Sequence, residues 1–399
     1  MSFPELRASI PATRDTIYMN TGFTGPSPEP VIRRMREVLE RESSVGPASV
    51  EGLAQSRRIA EEAREAVAEL LNADPDEVAI THGTTEGLHV VIYGLDWRPG
   101  DEFVTCTLEH PALATPAGVL EERYGVTVKR VEIPPNAAPS LALEMIASAL
   151  TPRTKLVALS HVQFSCGLKL PAKQIVDAAH RAGTLIALDG AQTGGQLALD
   201  VHALGVDFYS ISGQKWCLGP QGTGALYVRR DHHRLLAPLF TTHAMADSRA
   251  IPGEGPGGGN PLARFRIASQ SPALTAGFAE AVRLLTSLGV GEIEAYTHGL
   301  GARLRSGLSS IPGCTVTGPL AAEASCGLTA VAVEGWEPRD LVDALWERYR
   351  IAVRAVANPA AIRFSTGAFN TEEEVDRVLE AMRALAASGP GVFDSGTKS

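Results

Sequence analysis

The chain has 399 residues, a formal net charge of −9, 44% hydrophobic and 20% charged side chains, a globular balance that excludes disordered, collagen-like and coiled-coil proteins. An acidic total without a lysine/arginine run argues against nucleic acid or an anionic membrane as partner. No apolar run approaches the ~18 residues of a membrane span and MSFPELRASIPATRD does not read as a signal peptide, so the expected compartment is the cytoplasm.

In chain order, helical spacing marks 28–42 and 49–71, and VAIT (78–81) reads as a strand leading through HGTTEG into a helix. EFVTCT (102–107) is a strand, 110–124 a helix, 126–133 a strand, 141–150 a helix, KLVALS (155–160) a strand and 171–182 a helix. TLIALD (184–189), FYSIS (208–212) and TGALYV (223–228) complete the strands. Several are continuous apolar runs, as strands buried on both faces are. The last two are joined by too few residues for a helix, so that part of the sheet is expected to be antiparallel. The glycine-rich stretch 253–261 reads as a mobile loop near a boundary. Beyond it come helices over 272–289 and 293–311, a strand over 328–333, a helix over 338–348, strands over 351–353 and 361–365, and a helix over 371–387. The expected architecture is a mostly parallel α/β domain over 17–265, an α+β domain from 1–16 and 266–389, and a polar tail over 390–399.

Ligands of open α/β sheets bind beyond the carboxyl ends of the strands. After VAIT come Gly83, Thr84 and Thr85 opening a helix, an anion site by its free N–H groups or a plain helix cap. After EFVTCT comes His110, a helix-start residue or a flat stacking group. After TLIALD comes Asp189, costly to bury unless a cation meets it. After FYSIS comes Lys215, one of only six lysines (129, 155, 169, 173, 215 and 398); desolvation there would lower its pKa as a Schiff-base lysine requires. Each reading alone has a bland rival. Together, phosphate hydroxyls, a stacking ring, a carboxylate for a pyridinium nitrogen and a reactive amine are the four needs of pyridoxal 5′-phosphate, and Lys215 follows Asp189 by 26 residues.

The chain resembles the class V aminotransferase family of fold-type I pyridoxal-phosphate enzymes, from YMNTGFTGP (18–26) to IRFSTGAFNTEEEVDRVL (362–379) and most strongly over ALDGAQTGGQLALDVHALGVDFYSISGQKW (187–216). GLDWRPGDEFVTCTLEHPA (94–112) looks most like the branch of cysteine/cystine C–S lyases and isopenicillin N epimerase-like proteins. The resemblance implies Lys215, His110 and Asp189 as catalytic residues. It implies Gly83, Thr84, Thr85, Ser212, Gln214 and a partner-subunit Ser271 around the phosphate, with Ser269 as the other candidate. Gln192 would meet the 3′-oxygen, and Arg363 and Asn20 the substrate. It also implies an amino-acid substrate and a homodimer with shared sites.

Two departures bear on activity. Desulfurases keep a nucleophilic cysteine between the last small-domain strands; here that stretch is IAVRAVANPAAIR (351–363), without one, and the five cysteines (106, 166, 217, 314 and 326) lie elsewhere. HVQFSCG (161–167) has Phe164 or Ser165 where relatives place an asparagine. The expected reaction is β-elimination from cysteine, cystine or an S-substituted cysteine. The alternatives are transamination, epimerisation or decarboxylative deamination, then a persulfide-forming desulfurase or a non-catalytic protein of this fold. GPQGTG (219–224) leads into a strand and is no dinucleotide fingerprint. His232-His233 is read as a solvated pair, with no metal, and Arg354 is balanced between a second active-site arginine and a strand-end charge.

Overall fold

The computed structural model describes residues 1–239, 261–265, 267 and 269–389. All of the expected boundary loop but Pro261, and the tail 390–399, lie outside the described residues.

The larger sheet contains β2 (Val78–Thr81), β3 (Glu102–Cys106), β4 (Thr127–Val131), β5 (Thr154–Ser160), β6 (Leu185–Asp189), β7 (Phe208–Ser212) and β8 (Gly224–Val228). Its strand order is β2-β8-β7-β6-β5-β3-β4, and β8 runs against both of its neighbours while the remaining pairs are parallel. The antiparallel return expected between β7 and β8 is present, in register from Phe208↔Val228 to Ser212↔Gly224. Every residue of β3, β7 and β8 is buried, as strands covered on both faces are. Because β2, β3, β5, β6 and β7 run the same way, their carboxyl ends share one edge of the sheet, and Gly83, His110, Asp189 and Lys215 leave from that edge.

A second, antiparallel sheet has the order β12-β13-β10-β9, with β9 (Cys314–Val316), β10 (Leu328–Val333), β12 (Arg354–Ala357) and β13 (Ala360–Ser365). Ile362, Phe364, Val331, Leu304, Leu345 and Met382 form its buried core. The N-terminal strand β1 (Ile17–Tyr18) pairs in parallel with β11 (Ile351–Ala352), and Asn20 bridges Ser365. Strands β1, β9 and β12 were not legible as elements: at two to four residues they carry no period, and distant partners define them.

Segment 1–16 touches both units. Leu6 and Ile10 join the larger core, while Arg7 pairs with Glu374 at 2.8 Å and Phe3 stacks on Tyr296 at 4.3 Å. The helix Pro272–Leu288 sends Phe278, Val282 and Leu285 into the larger core, and Gly277 lets it close on Met35 of the helix Glu29–Val45. We propose the boundary near residue 265 with this helix as the strut that carries the chain from one unit to the other. Among the described residues, no single helix is long and apolar enough to cross a membrane.

The His232-His233 pair is not solvated. His233 is buried against the Val228 carbonyl, and His232 Nε2 lies 2.9 Å from Asp207 Oδ1. For His232 the cause is Asp207: a fully buried carboxylate needs donors, and it gathers the Ile186 amide, Arg229, His180 and His232.

Candidate active site

A cavity of about 550 Å³ opens at the carboxyl edge of the larger sheet and is closed by the second sheet. It is lined by Gly83, Thr84, Thr85, His110, Asp189, Gln192, Ser212, Gln214, Lys215 and Arg363, so the structure gathers residues up to 280 positions apart in the chain. Asn20 and Ser271 are not among its lining residues. Asn20 lies on the bridge to Ser365 with its Oδ1 buried and unpartnered. Ser271 caps the helix Pro272–Leu288, accepting the Leu274 amide at 3.4 Å.

The anion end is built from a helix start. Gly83 precedes the helix Thr84–Gly94 without any side-chain cap, so the first N–H groups keep their positive end free. The Thr84 hydroxyl is buried and unpartnered. Gln214 accepts from Ser212 Oγ at 3.0 Å through its Oε1, which leaves its Nε2 as a donor toward the cavity. Uncapped amides, an orphaned hydroxyl and a free amide donor fit a phosphate group. Glu86 also lines this end and takes both the His82 amide and its Nδ1 at 2.7 Å.

Asp189 is buried at the end of β6. Its Oδ1 accepts the Ala191 amide at 2.8 Å, and burial raises its pKa while Lys215 opposes the rise. Behind it, Tyr209 Oη is held by His161 Nδ1 at 2.8 Å and Thr193 Oγ1 at 2.5 Å. A Cβ on Gly190 would stand 2.2 Å from the Tyr209 ring, so only glycine fits after the carboxylate. Desolvation lowers the Lys215 pKa to about 8 against the pull of Asp189, and Arg363 and Arg354 lower it further. The amine is therefore neutral far more often near neutral pH than an ordinary lysine is.

His110 caps the helix Pro111–Tyr124, and its Nδ1 accepts the Ala112 amide at 3.1 Å. Both readings of this residue hold at once: it starts a helix, and its ring lines the cavity. Burial, then Lys215, Arg354 and Arg363, push its pKa down to about 4, so the ring is neutral with its proton on Nε2. Phe164 meets it edge-on at 5.1 Å. Gln192 is tied at both ends, donating to the Gly22 carbonyl and accepting from Trp216 Nε1, each at 2.9 Å.

Arg363 on β13 is 1% exposed. One nitrogen, Nη1, donates to the Phe164 carbonyl at 2.5 Å, while Nε and Nη2 are buried without partners. Burial, then Arg354, push its pKa down to about 9, which leaves it cationic at neutral pH. A desolvated guanidinium with two orphaned donors suits a carboxylate ligand. Arg354, Phe164, Ser160, Glu86 and the Gly22-Phe23-Thr24 turn also line the cavity. Of these, the sequence reading weighed only Arg354 and Phe164; the turn follows β1, whose short pairing gives no local signal.

Residues 17–378 match the family described as Aminotransferase class-V. A probable cysteine desulfurase of Mycolicibacterium paratuberculosis is 33% identical over 97% of this chain, which spans 58% of that protein's length. A probable cysteine desulfurase of Methanothermobacter thermautotrophicus is 29% identical over 98% of this chain and 99% of its own. Among solved structures, the cystine C–S lyase C-DES in complex with cysteine persulfide superposes with a TM-score of 0.86 at 28% identity, over 96% of this chain and 100% of that one. The apo cysteine desulfurase of Thermococcus onnurineus gives 0.86 at 27%, over 97% and 99%.

Proposed function

Because this chain belongs to the class-V aminotransferase family, we propose that it is a pyridoxal-phosphate-dependent carbon–sulfur lyase that performs β-elimination on cysteine, cystine or an S-substituted cysteine. The cofactor is pyridoxal 5′-phosphate, and the residues present fit it: an uncapped helix start with the orphaned Thr84 hydroxyl, a buried carboxylate and a desolvated lysine. When bound, it supplies an electron sink for negative charge at the substrate Cα.

The chain's own residues then divide the work. Gly83, Thr84, Thr85, Ser212 and Gln214 would hold the phosphate, and Asp189 would keep the proton on the pyridine nitrogen. His110 would offer the cofactor a flat ring to stack on, and Gln192 an amide for its 3′-oxygen. Lys215 Nζ holds the cofactor and, once released, accepts the Cα proton. Arg363 binds the α-carboxylate through its two unpartnered donors. As Cα–H breaks, the Cβ–S bond breaks too, and the sulfur leaves with the bonding pair. Hydrolysis of the carbon product gives pyruvate and ammonia.

One observation carries elimination over persulfide formation. Strands β12 and β13 pair from Arg354↔Arg363 to Ala357↔Ala360, so only Asn358 and Pro359 turn the hairpin where a nucleophile loop would stand. None of the five cysteines lines the cavity, and burial raises the thiol pKa of all five. A thiolate that cannot form or reach the substrate sulfur cannot take it. Persulfide formation is the second reading, favoured by the names of the relatives.

The test replaces all five cysteines by Ala or Ser and assays pyruvate and thiol from cystine and S-alkyl cysteines. Retained pyruvate release supports elimination. Loss on changing a single cysteine, with fold and cofactor intact, would point to a desulfurase. Alanine or an aldehyde as product would point to transamination or decarboxylative deamination. We further propose a homodimer in which Ser271 reaches the partner's phosphate site. Such an interface would cover the exposed apolar side chains Ile32 and Leu39 on the helix Glu29–Val45 and Val50 and Leu53 on the helix Val50–Leu71. A fully active monomer in sedimentation would refute it.

A further inference from the structure

Asp189 ends β6, and the strands on either side of β6 are joined behind it by side chains. His161 follows β5 directly, Tyr209 lies in β7, and Thr193 stands in the turn after β6. The register sets Asp189 beside Ser160 on one side and Ser210 on the other. Tyr209 Oη lies 2.8 Å from His161 Nδ1 and 2.5 Å from Thr193 Oγ1, and Thr193 Oγ1 donates to the Gly190 carbonyl at 3.0 Å. A chain of hydrogen bonds thus runs from the end of β5 through β7 to the residue that follows Asp189.

His161, Tyr209 and Thr193 are all buried, and they are not among the residues that line the cavity. Burial lowers the His161 pKa to about 4 and raises that of Tyr209, which the Asp189 charge raises further. Both rings are therefore neutral at working pH, and the chain acts through geometry rather than charge. Its end point is the turn. The Gly190 carbonyl also accepts the Thr193 and Gly194 amides, and the Gly190 amide donates to the Ser210 carbonyl at 2.7 Å. That turn presents the Ala191 amide to Asp189 Oδ1. Among the described residues the other carboxylate oxygen has no hydrogen-bond partner, and Asp189 lines the cavity. One oxygen is fixed and the other is left for a ligand cation. A buried network with its partners in place holds what it touches rigid.

We propose that His161, Tyr209 and Thr193 are positioning residues for Asp189, whose chain aims the carboxylate so that it keeps the pyridine nitrogen of the cofactor protonated. This inference rests on the proposed seat of the cofactor and gives a role to three residues that reach no reacting atom. Slackening the chain lowers the positive charge held on the ring, and the nitrogen that joins the cofactor to Lys215 then becomes easier to protonate.

The test follows the pH midpoint of the visible absorbance of the cofactor-loaded protein, which reports on that nitrogen without any substrate. Asp189, Arg363 and Arg354 face Lys215, and His82, Glu86 and His110 also line the cavity; the chain variants leave all six in place. Tyr209→Phe keeps the ring that packs on Gly190 and removes the hydroxyl at the centre of the chain. It should raise the midpoint by ~0.5 pH or more, in the same direction as Asp189→Asn and by less. His161→Leu should do the same. His161→Asn, whose amide stands as far from the backbone as Nδ1, should keep the midpoint within ~0.2 pH of wild type. Thr193→Val serves where Tyr209→Phe does not fold. Glu102→Gln, at the far end of β3, is the control and should lower the melting temperature without moving the midpoint. Lower melting temperatures with a wild-type midpoint in the chain variants overturn the inference, as does a shift in Glu102→Gln as large as theirs. A midpoint unmoved by Asp189→Asn overturns it through the cofactor orientation on which it rests. Failure of the lyase reading shows separately, as absence of pyruvate from every S-substituted cysteine tried.

Discussion

Gly25 lies against the backbone of Lys215. Its amide donates to the Gln214 carbonyl at 2.7 Å, and a Cβ at Gly25 would stand 2.5 Å from the Lys215 carbonyl oxygen. The N-terminal turn therefore forms one wall of the seat of the reactive lysine, although 190 residues separate the two in the chain. Gly25→Ala must displace backbone rather than a flexible side-chain tip, at a cost of about 1–3 kcal/mol. The expected result is a lower melting temperature together with a reduced cofactor content after purification. Wild-type cofactor content in a folded Gly25→Ala protein would show that the lysine tolerates the shift.

Lys215 should behave as an abnormal amine. With its pKa lowered to about 8 by burial, the cofactor-free protein should react at Lys215 with a small acylating reagent at a rate that rises through pH ~8. An exposed lysine does so only above ~10. Peptide mapping after limited labelling at pH 8 should find Lys215 ahead of Lys155, Lys169 and Lys173. After borohydride reduction of the loaded protein, the cofactor label should likewise map to Lys215; label on Lys155 or Lys169 would remove it from its assigned role.

Asp189→Asn should keep the cofactor bound and lower turnover by ~10²-fold or more, because an amide does not hold the pyridine nitrogen protonated. The check is steady-state pyruvate release alongside cofactor content. Near-normal turnover would mean that the cofactor lies in another orientation than the one proposed.

Glu102 tests the sheet rather than the site. Its side chain, 1% exposed, is met by Lys129 at 2.7 Å, Arg153 at 2.8 Å, and the hydroxyls of Thr151 and Thr154. Burial opposes ionisation, yet these donors outweigh it and lower the pKa to about 2. A carboxyl depressed in the folded state contributes stability that is present above its unfolded value of 4.5 and lost as the pH falls from there toward 2. Glu102→Gln should lower stability at pH 7 by about 1–3 kcal/mol. Denaturant melts between pH 7 and pH 3 should show the wild-type advantage over this variant shrinking as acid is added. A pH-independent difference would show that Glu102 acts through packing alone.

Much of the larger unit was legible because its signals are local. Apolar strand runs, helix starts at Pro and Gly, and a chemical residue at each strand end can be read from a window of ten residues. The motif around Asp189 and Lys215 joined them into one site before any geometry was known. The sequence also excluded a thiol between 351 and 363. It could not exclude that a cysteine from elsewhere reaches the cavity, which is a matter of distance.

The remainder was decided by contacts between segments far apart in the chain. Strand β12 exists because Arg354–Ala357 pairs with β13, and that pairing turns an ambiguous arginine into the register partner of Arg363. The turn Gly22-Phe23-Thr24 enters the cavity because β1 is held by β11 and Asn20 by Ser365. His232, polar in sequence and surface-like by composition, is drawn inward by a buried Asp207 whose demand for donors no local pattern announces, and His233 is buried against the Val228 carbonyl. The residue types, their order and the chemistry they can perform were determined by the sequence itself. Which of them meet, how far each is desolvated and which charges remain unpaired was decided by the tertiary structure, because burial and Coulomb interactions depend on separation in space and not on separation along the chain.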